Sequence, residues 1–336
     1  MVHVVLDAMG GDNAPEEIVK GALVALADSK DIEVTLCGRE ADIKKELADK
    51  EYPKDRLFIE DANDVITTEE APVMAIRRKK DSSIVKGMNL VKDKKADAFV
   101  SAGSSGAVLV GGQLIVGRIK GVERPPLAPL IPSTTPRGVS LLIDCGANVD
   151  ARSSHLVQFA KMGSIYMEHV LGVKNPRVAI VNIGAEEEKG NMLVKETFPL
   201  LKNCPDINFI GSIEAREIPN GGADVIVCEA FVGNVILKMY EGVGKMMLGA
   251  IKGALLSSVR GKLGGLMIKP SLKGVMKKFD ATEYGGAPLL GLNGLVVKVH
   301  GNATAKEISN AIKQCATFKE QKISQRIADK IIIKDE

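Results

Sequence analysis

Short apolar runs rich in β-branched residues recur along this chain, each followed by a segment of helical period. They are Val4–Leu6, Ile32–Cys37, Leu57–Glu60, Ala98–Ser101, Val139–Asp144, Arg177–Asn182, Ile207–Ile210, Asp224–Cys228 and Leu295–Val299. That alternation predicts an α/β fold, a mainly parallel sheet with helices on both faces. Ligands of such sheets bind beyond the carboxyl ends of the strands. With 336 residues and 45% hydrophobic content, the chain can bury a large core as one large or two interleaved α/β units. We expect a single interleaved unit over residues 1–336. The proline-rich stretch Arg124–Pro136 reads as an extended connector.

Residues 4–26 read as a strand that ends in the Gly10-Gly11 turn and feeds a helix. Asn13 is placed to cap that helix, with Pro15 in its first turn and Glu16 at the capping-box position. Free N–H groups and the helix dipole would favour a phosphate or carboxylate there. Asp7 and Asp12 would repel such a ligand unless they orient a lysine, a hydroxyl or the loop itself. The other reading is a tight turn with no ligand. Similar glycine-bearing loops follow other strands: SAGSSGA (101–107), DCGANVDARSSH (144–155), NIGAEEEKGN (182–191) and CEAFVGNVILK (228–238). Singly each is an ordinary loop; together they line one expected crevice and favour a phosphorylated ligand.

Composition and missing motifs narrow the chemistry. A net charge of +3 gives no argument for nucleic acid. The five cysteines are widely spaced, mostly in apolar segments and without a C-x-x-C pair, as in reduced core positions of a cytosolic protein. No signal-peptide pattern and no uninterrupted run of about 18 apolar residues is present, so the expectation is a soluble, cytoplasmic protein. Neither a G-x-x-x-x-G-K-S/T loop, a G-x-G-x-x-G turn nor a G-x-S-x-G elbow occurs, and His3, His155, His169 and His300 lack metal-ligand spacing. No metal and no cofactor is expected. Phosphate is already an anion at neutral pH, so attack on a thioester needs chiefly positioning and an oxyanion donor.

From Lys245 to Phe279 the chain carries eight lysines and arginines and no acid. The pattern reads as a helix, a glycine-rich tip at Gly261–Gly265 and a second helix begun near Pro270. Ile268, Leu272, Val275, Met276 and Phe279 then share one arc, and Lys269, Lys273 and Lys277 another. With Leu263, Leu266, Met267 and Ile268 near the tip, this basic amphipathic hairpin suits an anionic lipid surface or an acidic protein; a solvated surface helix is the plain alternative.

Several motifs carry a family resemblance over nearly the whole chain. LDAMGGDNAP (6–15), KKDSSI (79–84), SAG-x-x-GA (101–107), LAP (127–129), GANVD (146–150), HLVQFAKMGSIYM (155–167), NIGAEEEKGN (182–191), FVGNVILK (231–238) and YGGAPLLGLNGLVVKVHG (284–301) resemble the PlsX family of bacterial acyl-ACP:phosphate acyltransferases. The resemblance implies a fold like that of isocitrate dehydrogenases and phosphotransacetylases, with a projecting hairpin at 245–283 as the membrane-facing element. It implies formation of acyl phosphate and free acyl carrier protein from acyl-[acyl carrier protein] and inorganic phosphate, for phospholipid synthesis. It further implies a homodimer held peripherally at the inner face of the cell membrane, with the membrane glycerol-3-phosphate acyltransferase as a candidate partner.

Lys189 and Asn234 match the family's motif lysine and asparagine. They are the leading catalytic candidates, Lys189 for phosphate charge and Asn234 for phosphate or the developing oxyanion. On residue type alone, Lys189 also reads as a surface lysine after an acidic turn, and Asn234 as a helix cap. His155 either bonds phosphate or thioester or opens the Leu156–Leu171 helix, and His300 has the same two readings. Asp7 and Asn13 are assigned to shaping the phosphate loop, with Gly10, Gly11, Ser104, Asn182, Gly184, Gly233 and Lys238 as further substrate-binding candidates. The chain departs from the family pattern at Ser104-Ser105, where Asn-Thr is usual, and at Glu229-Ala230, where Asp-Gly is usual. It departs again at Val232 for a threonine and in the run Arg152–Ser154. The competing readings are a nicotinamide-dependent dehydrogenase on the related fold and a non-catalytic membrane adaptor.

Overall fold

The computed structural model describes residues 1–278 and 281–331. Among the described residues there are eleven strands, most of them followed by a helix, as the sequence pattern predicts. In chain order the strands are β1 (Val2–Asp7), β2 (Ile32–Gly38), β3 (Leu57–Asp61), β4 (Ala98–Ser101), β5 (Leu130–Pro132), β6 (Val139–Ile143), β7 (Arg177–Val181), β8 (Asn208–Ile213), β9 (Val225–Val227), β10 (Ala287–Leu289) and β11 (Leu295–Lys298). The helices are α1 (Glu16–Asp28), α2 (Glu40–Leu47), α3 (Pro72–Arg78), α4 (Ser83–Lys92), α5 (Ser105–Gly111), α6 (Ser153–His169), α7 (Met192–Lys202), α8 (Ala230–Leu256), α9 (Val259–Lys278), α10 (Ala305–Glu320) and α11 (Ile323–Ile331).

The chain divides into two compact units, each discontinuous in sequence. Unit 1 comprises Met1–Pro129, Lys161–Lys174 and the segment from Thr282 onward; unit 2 comprises Leu130–Ala160 and Asn175–Ala281. The sheet of unit 1 has the order β10-β11-β4-β1-β2-β3, parallel except for β10. β1 shows why its residues read as they do: Val4, Val5 and Leu6 are all buried, because successive side chains point to opposite faces and both faces are covered. On the Val5 side α4 approaches closely at Gly87, where an added Cβ would lie 2.5 Å from the Phe99 ring. Gly21 of α1 does the same against Ile308 of α10, again at 2.5 Å. The chain runs outward through β1, β2 and β3 and then returns to the other side of β1 as β4. The carboxyl ends of β1 and β4 therefore form a topological switch point, where such sheets bind ligands.

The sheet of unit 2 has the order β5-β6-β9-β7-β8, parallel except for β5. β9 enters last, between β6 and β7, so the loops leaving β6, β9 and β7 share the carboxyl edge. Under them lies a core that includes Leu142, Cys145, Ala179, Ile226 and Cys228.

Three local expectations are corrected. α1 begins at Glu16 with Pro15 as an uncapped N-cap, and Asn13 instead donates its side-chain amide to the carbonyls of Asn302 (3.2 Å) and Ala303 (3.4 Å). The turn between α8 and α9 falls at Ser257–Ser258, so Gly261–Gly265 and Pro270 lie inside α9. The connector Arg124–Pro136 contains the short edge strand β5, which pairs antiparallel with β6 and keeps its proline at the strand end.

Candidate functional site

In unit 1 the loops after β1, β4 and β11 converge. Gly10 packs so closely that a Cβ there would lie 2.2 Å from Asp7 Oδ2 and 2.7 Å from the Gly103 nitrogen. Gly11 has φ +100° and sits against the Gly301 carbonyl and Ala102. Only glycine accepts both the angle and the contact. The Asp12 N–H donates to the Gly301 carbonyl at 2.7 Å, which ties the first loop to the last.

Asp7 is the hidden support of this arrangement. Its buried carboxylate accepts hydrogen bonds from the hydroxyls of Ser83 and Ser101, both at 2.6 Å, and from the Met9 N–H at 3.2 Å. Burial raises its pKa above the usual carboxylate value, against the lowering by these donors and by Lys298. Asp7 thus faces inward and orients hydroxyls and loop backbone, one of the roles the sequence left open. Neither Ser83, which opens α4, nor Ser101, which ends β4, is marked in the sequence, since a serine at such a boundary carries no signal of its own.

The first turn of α1 carries Glu16 and Glu17, and Glu17 also accepts the Ala305 N–H at 2.6 Å. Acids in that first turn compete with an anion for the dipole at the start of α1. Ser104 is buried and caps α5, accepting the Ala107 N–H at 3.4 Å. The side chain of His300 is exposed at the end of β11.

Unit 2 gathers the remaining candidates around its own strand ends. The Asn182 side chain holds the 182–191 loop: it donates to the Lys189 carbonyl (3.1 Å) and to Ser212 Oγ (3.0 Å), and accepts the Ile183 N–H (2.8 Å). Asn182 is buried with its amide committed to the loop, so it positions Lys189 rather than facing solvent. Lys189 is exposed and paired with Glu186 at 2.8 Å, which raises its pKa and keeps it cationic. Gly184 lies beneath its stem: an added Cβ would be 2.5 Å from Lys189 Cδ and 2.8 Å from Glu186 Oε2, so the two side chains would have to swing aside.

Gly233 is the tightest contact in this unit. An added Cβ would stand 1.9 Å from the Asp144 carbonyl oxygen, so α8 docks directly on the loop after β6. That loop is organised by the Asp144 carboxylate, which accepts the N–H groups of Gly146, Ala147 and Asn148 and the Asn148 side-chain amide. The Asn148 carbonyl in turn accepts the Ala230 N–H at 3.0 Å. Glu229 caps α8 by accepting the N–H groups of Phe231 and Val232, so the capping reading of Asn234 is corrected. Asn234 stands exposed in the second turn and shares a face with Lys238 at i+4. Lys238 pairs with Glu241 at 3.0 Å.

His155 Nδ1 accepts the Arg152 N–H at 3.1 Å, closing the first turn of α6 in capping-box fashion. Cys145 and Cys228 lie under these loops, and burial lifts both thiols well above their ordinary range. Neither is a ready thiolate at neutral pH, which argues against an acyl-cysteine intermediate. Among the described residues no cluster of His, Cys, Asp and Glu could hold a metal ion.

α8 projects as the first arm of the hairpin; additions at Gly242, Gly244, Gly249 and Gly253 would meet nothing within 4 Å. Its partner α9 exposes Leu263, Leu266, Met267 (82%) and Ile268 beside exposed Lys269. The side chains of Leu272, Lys273, Val275, Met276 and Lys277, and all of Phe279, lie outside the described residues. Among the described residues no helix is long and apolar enough to cross a membrane.

Comparison with known proteins places this geometry. A phosphotransacetylase from Streptococcus pyogenes superposes with a TM-score of 0.60 over 95% of this chain and 94% of its own at 16% identity. The EutD phosphotransacetylase from Staphylococcus aureus gives 0.56 over 94% of each chain at 18% identity. These likenesses establish the fold as that of the phosphotransacetylases. The phosphate acyltransferase of Clostridium botulinum (strain Alaska E43 / Type E3) is 52% identical over 97% of this chain and 98% of its own. That of Clostridium novyi (strain NT) is 50% identical over 98% of both. A family model described as "Fatty acid synthesis protein" matches residues 2–326. On a match of this extent, the chain belongs to the fatty acid synthesis protein family, the PlsX family of acyltransferases.

Proposed function

We propose that the protein is a phosphate acyltransferase that converts acyl-[acyl carrier protein] and inorganic phosphate to acyl phosphate and free acyl carrier protein, feeding phospholipid synthesis. The observation that carries this reading is the near-half identity to phosphate acyltransferases along almost the full chain, with the motif residues Lys189 and Asn234 exposed at the edge of the unit 2 sheet. In the proposed step an oxygen of the phosphate dianion attacks the thioester carbonyl carbon. The oxyanion collapses, the carbon–sulfur bond breaks, and the thiolate takes the phosphate proton. The Lys189 ammonium holds the phosphate charge, while the Asn234 side-chain N–H donates to phosphate or to the oxyanion.

The hairpin α8–α9 supports a peripheral site on the cytoplasmic face of an anionic membrane, since an exposed apolar row beside lysines satisfies both terms of interfacial binding. A homodimer, with the membrane acyltransferase that consumes acyl phosphate as neighbour, completes the proposal. The test is release of carrier-protein thiol from a purified acyl-acyl carrier protein. Release that depends on added phosphate supports the reading, and phosphate-independent release or none overturns it.

A further inference from the structure

Helix α3 in unit 1 presents a face that neither the sheet nor the candidate loops use. Ala75 and Ile76 are buried against the unit, whereas Val73, Met74, Arg77 and Arg78 are exposed. Val73 with Arg77 and Met74 with Arg78 are i, i+4 pairs, so two apolar and two cationic side chains share one surface. Among the described residues neither arginine has an ion-pair or hydrogen-bond partner, although Lys79 beside them is engaged by Glu70 at 2.7 Å. The helix also adjoins a candidate substrate loop. A Cβ on Gly106 of α5 would lie 2.5 Å from Pro72 Cγ, and α5 is capped by Ser104.

We infer that the exposed face of α3 is the docking surface for the acidic protein that delivers the thioester. The inference rests on the proposed acyl carrier protein donor. Two unpaired guanidiniums suit carboxylates on a partner helix, and Val73 and Met74 supply the apolar contact between them. A partner seated there lies beside α5, whose N-terminus Ser104 caps in the same unit. A membrane is the less fitting occupant. The face is two turns long, with nothing that reaches into an acyl layer, unlike the row at Leu263–Ile268.

The test compares Arg77→Glu/Arg78→Glu with a matched control, Lys30→Glu/Lys54→Glu, which makes the same charge change at exposed positions before β2 and β3. The α3 variant is expected to raise KM for acyl-acyl carrier protein by about tenfold, leave kcat and the unfolding midpoint near wild type, and flatten the salt dependence of kcat/KM. The control is expected to shift KM less than about twofold. If wild type turns over but the α3 variant keeps its KM and salt dependence, the docking surface lies elsewhere. A loss confined to binding of phosphatidylglycerol vesicles, with KM unchanged, overturns it in favour of lipid. Failure of the wild type itself to release thiol with phosphate would instead remove the function on which the inference rests.

Discussion

Gly233→Ala tests whether the docking of α8 on the loop after β6 is as tight as the structure shows. The new Cβ would stand 1.9 Å from the Asp144 carbonyl oxygen, 2.9 Å from its carbon and 3.1 Å from Cys228 Sγ. The first distance is about 1.4 Å short of an ordinary carbon–oxygen contact. Neither side yields easily, because the Asp144 N–H is bonded to the Cys228 carbonyl at 2.9 Å and its carboxylate is held by three backbone N–H groups. Because the clash is with backbone atoms, relief costs about 2–3 kcal/mol, the upper part of the overpacking range, against about 1 kcal/mol gained in helix propensity. A net loss of about 1–2 kcal/mol follows, with a larger effect on turnover because the displaced turn carries Asn234. Gly244→Ala in the same helix is the counter-case. Its Cβ meets nothing within 4 Å, so the propensity gain of about 0.5–1 kcal/mol stands alone. Urea unfolding midpoints and phosphate-dependent thiol release measure both variants. If Gly233→Ala is neutral or stabilising, the contact is not as drawn and the argument fails.

Lys189→Ala should lower phosphate-dependent turnover by at least about tenfold while leaving the unfolding midpoint unchanged, because its pair with Glu186 is exposed and such pairs contribute little. Ser101→Ala removes one of two hydroxyl donors from the buried Asp7 carboxylate and should destabilise by about 1–3 kcal/mol. The Ser101 hydroxyl lowers the burial-raised pKa of Asp7, so its loss raises that pKa further and the deficit should grow as pH rises through it. Asp81 is shifted the opposite way: Lys86 first, then Asn63, pull its pKa down to about 2 from 3.8. The stability gap between wild type and Asp81→Asn, read by acid titration of unfolding, should persist above 3.8 and close as pH falls through 2.

The parallel strands were legible because burial on both faces forces continuous apolar runs, and Ala98–Ser101 is met residue for residue by β4. β5 and β10 were not, since each is an antiparallel edge strand of three residues containing proline. The hairpin turn was misplaced because Gly261 and Gly265 serve packing rather than reversal: both lie against Leu255 of α8. At the site the glycine loops announced themselves, but their supports did not. Asp144 organises three N–H groups within its own loop, and Ser83 reaches Asp7 from far along the chain. Glutamate is an uncommon N-cap, so Glu229 was passed over and Asn234 was weighed for its role.

The central claim is that bound phosphate itself attacks the thioester. Mass spectrometry of the product formed from acyl-acyl carrier protein in phosphate labelled with heavy oxygen tests it most directly. The account predicts acyl phosphate that retains all the label, formed in step with the released carrier thiol. Free fatty acid released in step with the thiol, with no labelled acyl phosphate at any time, would contradict it.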